Sequence, residues 1–377
     1  MARQLAFDQL LALIGQSAPR PWYPADFLRD SGVDRDLLER SLDAMRMARV
    51  IELTPWESGH GQGFALTANG RKILQSPKLM FRLARGELPT RDVAGPERPM
   101  DSYDGTTFAR GEAIRSALLT PIAPRVTQIL LAINVAVFLV GQAIALGGQN
   151  PGIFQFGGQK ALIWTGAVNG ELLLRGQWWR LITCCFVHVG LMHLFMNMYA
   201  LWILGPIHER LWGRTRYLTI YLIAGLAGSC AAMFRHPETT LAGASGCIWG
   251  LIAAQLVWIT MNRSYLPREI VSDWTRALLI TIALNAVISF MPHISAEGHF
   301  GGGAAGAAVA ALLIVHQFGR GIVRWICLAA VVAVPLGSLG SLVWAKEHSL
   351  KWRKFERYIE LLNQQQQAPE GDDHNND

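Results

Sequence analysis

The sequence predicts an all-α polytopic membrane protein preceded by a small α+β domain. Three observations carry that reading. Of the 377 residues, 51% are apolar and only 16% charged, at a mean hydropathy of +0.23; a soluble domain carries nearer a quarter charged residues. The charge is also uneven. Residues 1–110 hold 15 Lys and Arg against 14 Asp and Glu, whereas the 19 and 14 in the rest lie mostly between long uncharged runs. Finally, seven stretches approach the ~20 apolar residues that a helix needs to cross a bilayer core: 126–147, 181–204, 217–234, 240–261, 277–292, 298–318 and 325–345. These observations divide the chain into a soluble domain (1–76), a linker (77–123), a transmembrane domain (124–345) and a tail (346–377).

Within the soluble domain, Asp34 is placed to cap a helix over 35–50, whose Leu37, Leu38, Leu42 and Met45 share one face. Ile51–Leu53 and Phe64–Leu66 flank a glycine-rich turn, which predicts a β-hairpin. The resulting order of helix, helix, longer helix, hairpin and helix resembles a winged-helix domain. Its near-neutral charge offers no basic stripe to phosphates, so nucleic acid is disfavoured as a partner. A module for protein contact or self-association is the expectation instead. The linker is rich in Pro, Arg and Gly.

The spans themselves follow a consistent polarity. With the N-terminus inside, the loops on that side carry eight basic residues: Arg210, Arg214, Arg216, Arg263, Arg268, Arg276, Arg320 and Arg324. The other side carries four: Lys160, Arg175, Arg180 and Arg235. That bias predicts a cytoplasmic N-terminus, seven spans and an outer C-terminus. In the tail, Trp352, Phe355, Ile359 and Leu362 recur at helical spacing among basic residues, as in an interfacial helix. Gln364–Gln367 and the acidic end read as disordered. The five cysteines lie in apolar runs without CxxC spacing, which argues against a disulfide framework or zinc cluster. No metal or cofactor is expected.

Polar residues within spans are costly and mark function by default. Three constellations stand out. His193 and Asn197 are four apart on the second span and share a face; both offer N–H donors suited to a developing oxyanion. Gly243-Ala244-Ser245-Gly246 opens the fourth span, setting a lightly covered serine at a helix N-terminus where backbone N–H groups are free. His299-x2-Gly302 opens the sixth span. Because the fourth and sixth spans run in the same direction, Ser245 and His299 are expected at one depth, as nucleophile and general base. No third carboxylate is evident, so a dyad is expected rather than a triad.

These motifs, with Trp179-Arg180 and Gly205-x3-Glu209-x3-Gly213, occur in an order that resembles the rhomboid family of intramembrane serine proteases. The resemblance covers residues 124–345 and implies a six-helix bundle plus one C-terminal transmembrane helix. It implies a serine-type endopeptidase that cuts transmembrane segments of membrane proteins near the outer face. In that reading Ser245 is the nucleophile and His299 the base. His193, Asn197 and the Ser245 N–H form the oxyanion hole, supported by Gly243, Gly246, Trp249 and His188. Trp249 stands where relatives carry Phe or Tyr against the catalytic histidine. Trp179 and Arg180 are expected to anchor the outer loop, Glu209 to cap the inner end of the second span, and Gly302 to pack closely. Transmembrane substrates and the lipid bilayer are the implied partners, and the cell membrane the implied location. The alternative is an inactive rhomboid-like protein that binds transmembrane clients without cutting them.

Overall fold

The computed structural model describes residues 5–54, 57, 60, 62–87, 110–111, 113–114, 117–118, 122–147, 158–319 and 321–367. It divides into two compact units. The N-terminal part has the helix order expected from its sequence: α1 (Phe7–Gln16), α2 (Pro24–Ser31), α3 (Arg35–Met47), β1 (Ile51–Leu53), β2 (Phe64–Leu66) and α4 (Ala68–Leu74). Asp34 caps α3 by accepting the Leu37 N–H at 3.0 Å, which satisfies one of the donors a helix start leaves free. The strands pair antiparallel with Ile51 opposite Leu66 and Leu53 opposite Phe64. Their inward residues join Leu10, Ile14, Leu42 and Met45 in one apolar core. Residues 77–84, assigned by composition to the linker, instead form α5 (Pro77–Ala84), and Leu83 is buried in that core. Apart from Pro77, which opens the helix, the Pro and Gly content that suggested a linker all follows this amphipathic segment. Most of the remaining linker, and the acidic end of the tail, lie outside the described residues.

The second unit carries all or most of each long helix, with residues 259–275 and 317–324 grouped with the first: α6 (Arg125–Gly147), α10 (Leu191–Arg235), α11 (Ser245–Asn262), α12 (Arg268–Ser289), α13 (Ala296–Phe318) and α14 (Gly321–His348). Between α6 and α10 come α7 (Gly158–Thr165), α8 (Gly170–Leu174) and α9 (Arg180–Thr183). Six helices are long and apolar enough to cross a membrane. One of them, α10, has 45 residues. At ~1.5 Å per residue it is about twice the length that a ~30 Å bilayer core requires. It folds back at Gly213, where φ is +73° and ψ is 166°, a left-handed conformation that a Cβ penalises. The stretches 181–204 and 217–234 are thus the two limbs of one hydrogen-bonded element, and seven spans result. Residues 181–186 belong to short turns that precede the first limb.

At the Gly213 end, Glu209 is fully buried. Its carboxylate accepts the N–H of Val126 (3.1 Å) and of Thr127 (3.0 Å), and the Thr127 hydroxyl (3.2 Å). It therefore caps the start of α6, not the end of its own limb as the sequence suggested. The favourable site for a carboxylate is the positive end of a helix dipole, and α6 offers its N-terminus there. Glu209→Ala leaves the buried Thr127 N–H and the half-buried Val126 N–H without their acceptor. We expect it to lower stability by about 3 kcal/mol, measured as the shift in thermal unfolding of the detergent-solubilised protein.

At the opposite end, α15 (Leu350–Gln367) packs on the second unit. Trp352 is 1% exposed and donates its indole N–H to the Met233 carbonyl at 3.2 Å. Lys351 pairs with Glu238 at 3.0 Å. The tail thus starts at the end of the bundle that holds the N-termini of α11 and α13, as an odd number of spans requires. The residues Gln364–Gln367, expected to be disordered, continue this helix.

Candidate active site

Ser245 is the first residue of α11, and His299 lies in the first turn of α13. These two helices approach backbone to backbone. A Cβ on Gly302 would collide with the Gly246 carbonyl, and one on Gly306 with the Gly250 backbone; a Cβ on Gly246 would stand 3.1 Å from the Gly298 carbonyl oxygen. Small residues are what let helices approach this closely where lipid gives no hydrophobic drive. Close approach of the two helix starts brings Ser245 and His299 onto one cavity of about 20 Å³, room for a single water. Gly243, Gly246, Gly298 and Ser295 share its lining. His299 is buried at 8% exposure, and Trp249 lies across it with ring centroids 5.9 Å apart and planes 27° apart. The larger indole therefore occupies the stacking position that the sequence assigned to it.

The loop before α11 is set by Gly243, whose N–H donates to the Cys184 carbonyl at 2.9 Å. Its φ of +132° excludes most side chains. Space excludes them too, because a Cβ there would lie 2.9 Å from His193 Nε2 and 3.8 Å from Ser245 Oγ. The glycine thus opens the gap between the histidine and the serine. His193 Nδ1 accepts the Val189 N–H at 3.4 Å, which leaves the ring proton on Nε2, the nitrogen beside Gly243. That places an N–H donor next to the serine. His188, fully buried, meets the His193 ring edge-on at 5.1 Å.

Asn197 is buried, and its Nδ2 donates to the His193 carbonyl at 2.9 Å. One of its two amide N–H groups is thereby engaged on its own helix; neither Asn197 nor His193 lines the Ser245–His299 cavity itself. Of the Trp179–Arg180 pair, Arg180 does the anchoring. It is 7% exposed and donates to the carbonyls of Ile163 (2.5 Å) and Ala167 (2.9 Å) and to Gln177 Oε1 (2.6 Å). Trp179 is 55% exposed and stacks on the guanidinium at 4.4 Å. Its planar fork suits Arg to bridging several carbonyls at once.

One close partner of the site has no signal in the sequence. Ser289, the last residue of α12, lies 2.7 Å from His299 Nδ1. Helical spacing could have paired it with Asn285, but nothing in the pattern relates it to a histidine ten residues on. Glu297, beside His299 in sequence, pairs with His236 at 3.1 Å. No group of three or more potential metal ligands occurs among the described residues.

Fold and site together define a polytopic helical membrane protein with a serine and a histidine on one water-sized cavity and a second histidine donor beside the serine. A family profile described as Rhomboid domain matches residues 175–316, which contain every one of these groups. Residues 175–316 thus resemble a rhomboid domain, and the chain is an integral multi-pass membrane protein. Over 251 residues it is 30% identical to Rhomboid protease GluP of Bacillus subtilis (strain 168), covering 64% of this chain and 47% of that protein. It is 33% identical over 157 residues to RHOMBOID-like protein 5 of Arabidopsis thaliana, 41% of this chain and 50% of the relative. With RHOMBOID-like protein 2 of the same plant, it shares 34% over 144 residues, 38% of this chain and 45% of the relative. The chain thus spans about half the length of these curated relatives.

Proposed function

We propose that this protein is an intramembrane serine endopeptidase that cuts transmembrane segments of other membrane proteins. The observation that carries the reading is the shared Ser245–His299 cavity, with His193 Nε2–H directed beside the serine. In this mechanism Ser245 Oγ attacks the scissile carbonyl carbon while its proton passes to His299. The carbonyl oxygen becomes an oxyanion, held by His193 Nε2–H and the Ser245 backbone N–H, which is free at the first residue of α11. Collapse of the intermediate expels the amine, which takes the proton from His299 and leaves an acyl-enzyme. Water admitted to the cavity then hydrolyses the ester, with His299 again accepting and returning a proton. Asn197 Nδ2 gives one N–H to the His193 carbonyl and has a second to offer the same oxyanion.

The greater positive charge of the loops at the Gly213 end supports an orientation with that end and the N-terminus cytoplasmic, and the site towards the outer face of the cell membrane. The near-neutral N-terminal domain is assigned to protein contact rather than to nucleic acid.

A fluorophosphonate probe, which needs only an activated serine and no knowledge of the substrate, tests the reading. Detergent-solubilised wild type is expected to label covalently, and Ser245→Ala not to label at all. A folded wild type that does not label would support the non-cleaving, client-binding alternative.

A further inference from the structure

We propose that Ser289 is a positioning residue that holds His299 in the base-competent tautomer, so that the working unit is a Ser289–His299–Ser245 relay with a neutral hydroxyl in the third place. The inference rests on the protease reading above, and three observations carry it. The first is proximity: Ser289 Oγ lies 2.7 Å from His299 Nδ1.

The second concerns protons. Ser289 Oγ also lies 2.7 Å from the Asn285 carbonyl oxygen, which can only accept. A hydroxyl has one proton to donate, and the carbonyl takes it. Towards His299 the Ser289 oxygen can therefore only accept, so the imidazole proton resides on Nδ1. The Nε2 lone pair is left free, as a general base requires. The roles are the reverse of those at His193, where a backbone N–H occupies Nδ1 and places the proton on Nε2. One histidine is thus set as donor and the other as acceptor, each by the partner of its Nδ1.

The third observation is burial. Along α12, Leu279, Leu284 and Val287 are more than half exposed, and only Leu278 and Ser289 are buried. Ser289 is 1% exposed, so a helix that otherwise faces outward turns in a polar group at the point where His299 lies. Other groups near His299 cannot take this part. Trp249 covers a ring face, and Glu297 is engaged with His236. A hydroxyl in this place orients the base without adding a buried charge, which would be costly in the membrane.

The test follows saturation kinetics of fluorophosphonate labelling in the full-length protein, with three substitutions. Ser289→Ala removes the acceptor. Ser289→Cys fills nearly the same volume with a poor acceptor, and Ser289→Thr keeps a hydroxyl that can bond both partners. The maximal labelling rate is expected to fall about tenfold in Ser289→Ala and Ser289→Cys, the loss of one neutral hydrogen bond, with the half-saturating probe concentration unchanged. Ser289→Thr should recover most of the rate. Wild-type rates in both Ala and Cys variants would overturn the proposal. So would full recovery by Cys, which would reduce Ser289 to packing. A wild type that does not label overturns the protease reading itself, whereas a labelling wild type with an indifferent Ser289→Ala overturns this inference alone.

Discussion

His299→Ala is expected to slow acylation of Ser245 by on the order of 10⁴-fold or more, because nucleophile and base act as one unit and losing either removes most of the gain. The serine hydroxyl alone is a weak nucleophile at neutral pH and needs a base to take its proton. Among the described residues, His299 is the one base that lines the Ser245 cavity. His193 cannot substitute, since its Nδ1 is occupied by the Val189 N–H and its Nε2 carries the proton. The measurement is the fluorophosphonate labelling rate against wild type, with thermal unfolding of both in parallel. His299 is packed by Trp249 and bonded to Ser289, so some loss of stability accompanies the substitution. A folded variant that labels within tenfold of wild type would remove His299 from the mechanism.

Gly302→Ala should be among the most damaging single methyl groups in the helix bundle. The new Cβ points at the Gly246 carbonyl, backbone against backbone, and neither side can yield by a rotamer change. Overpacking of this kind costs about 1–3 kcal/mol where side chains can adjust, and this site belongs at the upper end or beyond. The clash lies at the residue that follows Ser245 on α11 and about one turn on from His299 on α13, so relief by separating α11 and α13 widens the gap between the two functional side chains. A displacement of about 1 Å at a reacting pair can cost 10²-fold. We therefore expect labelling to fall by at least that factor, together with a lower unfolding temperature. By contrast Gly337→Ala, with open space around the added Cβ, should change neither. Equal behaviour of the two variants would mean that the α11–α13 contact does not set the site.

Local patterns reach far in this chain. Hydrophobic run length marked every span, the Asp34 cap and the flanked glycine turn predicted the N-terminal elements, and the serine and histidine motifs fell on the first turns of α11 and α13. Each of these depends on residues within a few positions of one another, or on the bilayer, which acts on all spans alike. What depends on helix register across the bundle could not be read in that way. The carboxylate of Glu209 serves α6 rather than its own limb, since that is where an unpaired helix start meets it. Arg180, and not its tryptophan neighbour, reaches the carbonyls that anchor the loop. Leu83 turns a presumed linker into core. Ser289 meets His299 only because α12 ends where α13 begins its first turn, with the last residue of one helix rotated onto the ring of the other. Sequence spacing fixes which residues share a face of one helix. Which face meets which neighbour is settled by close packing of several helices at once, and the tautomers of the two histidines follow from that packing.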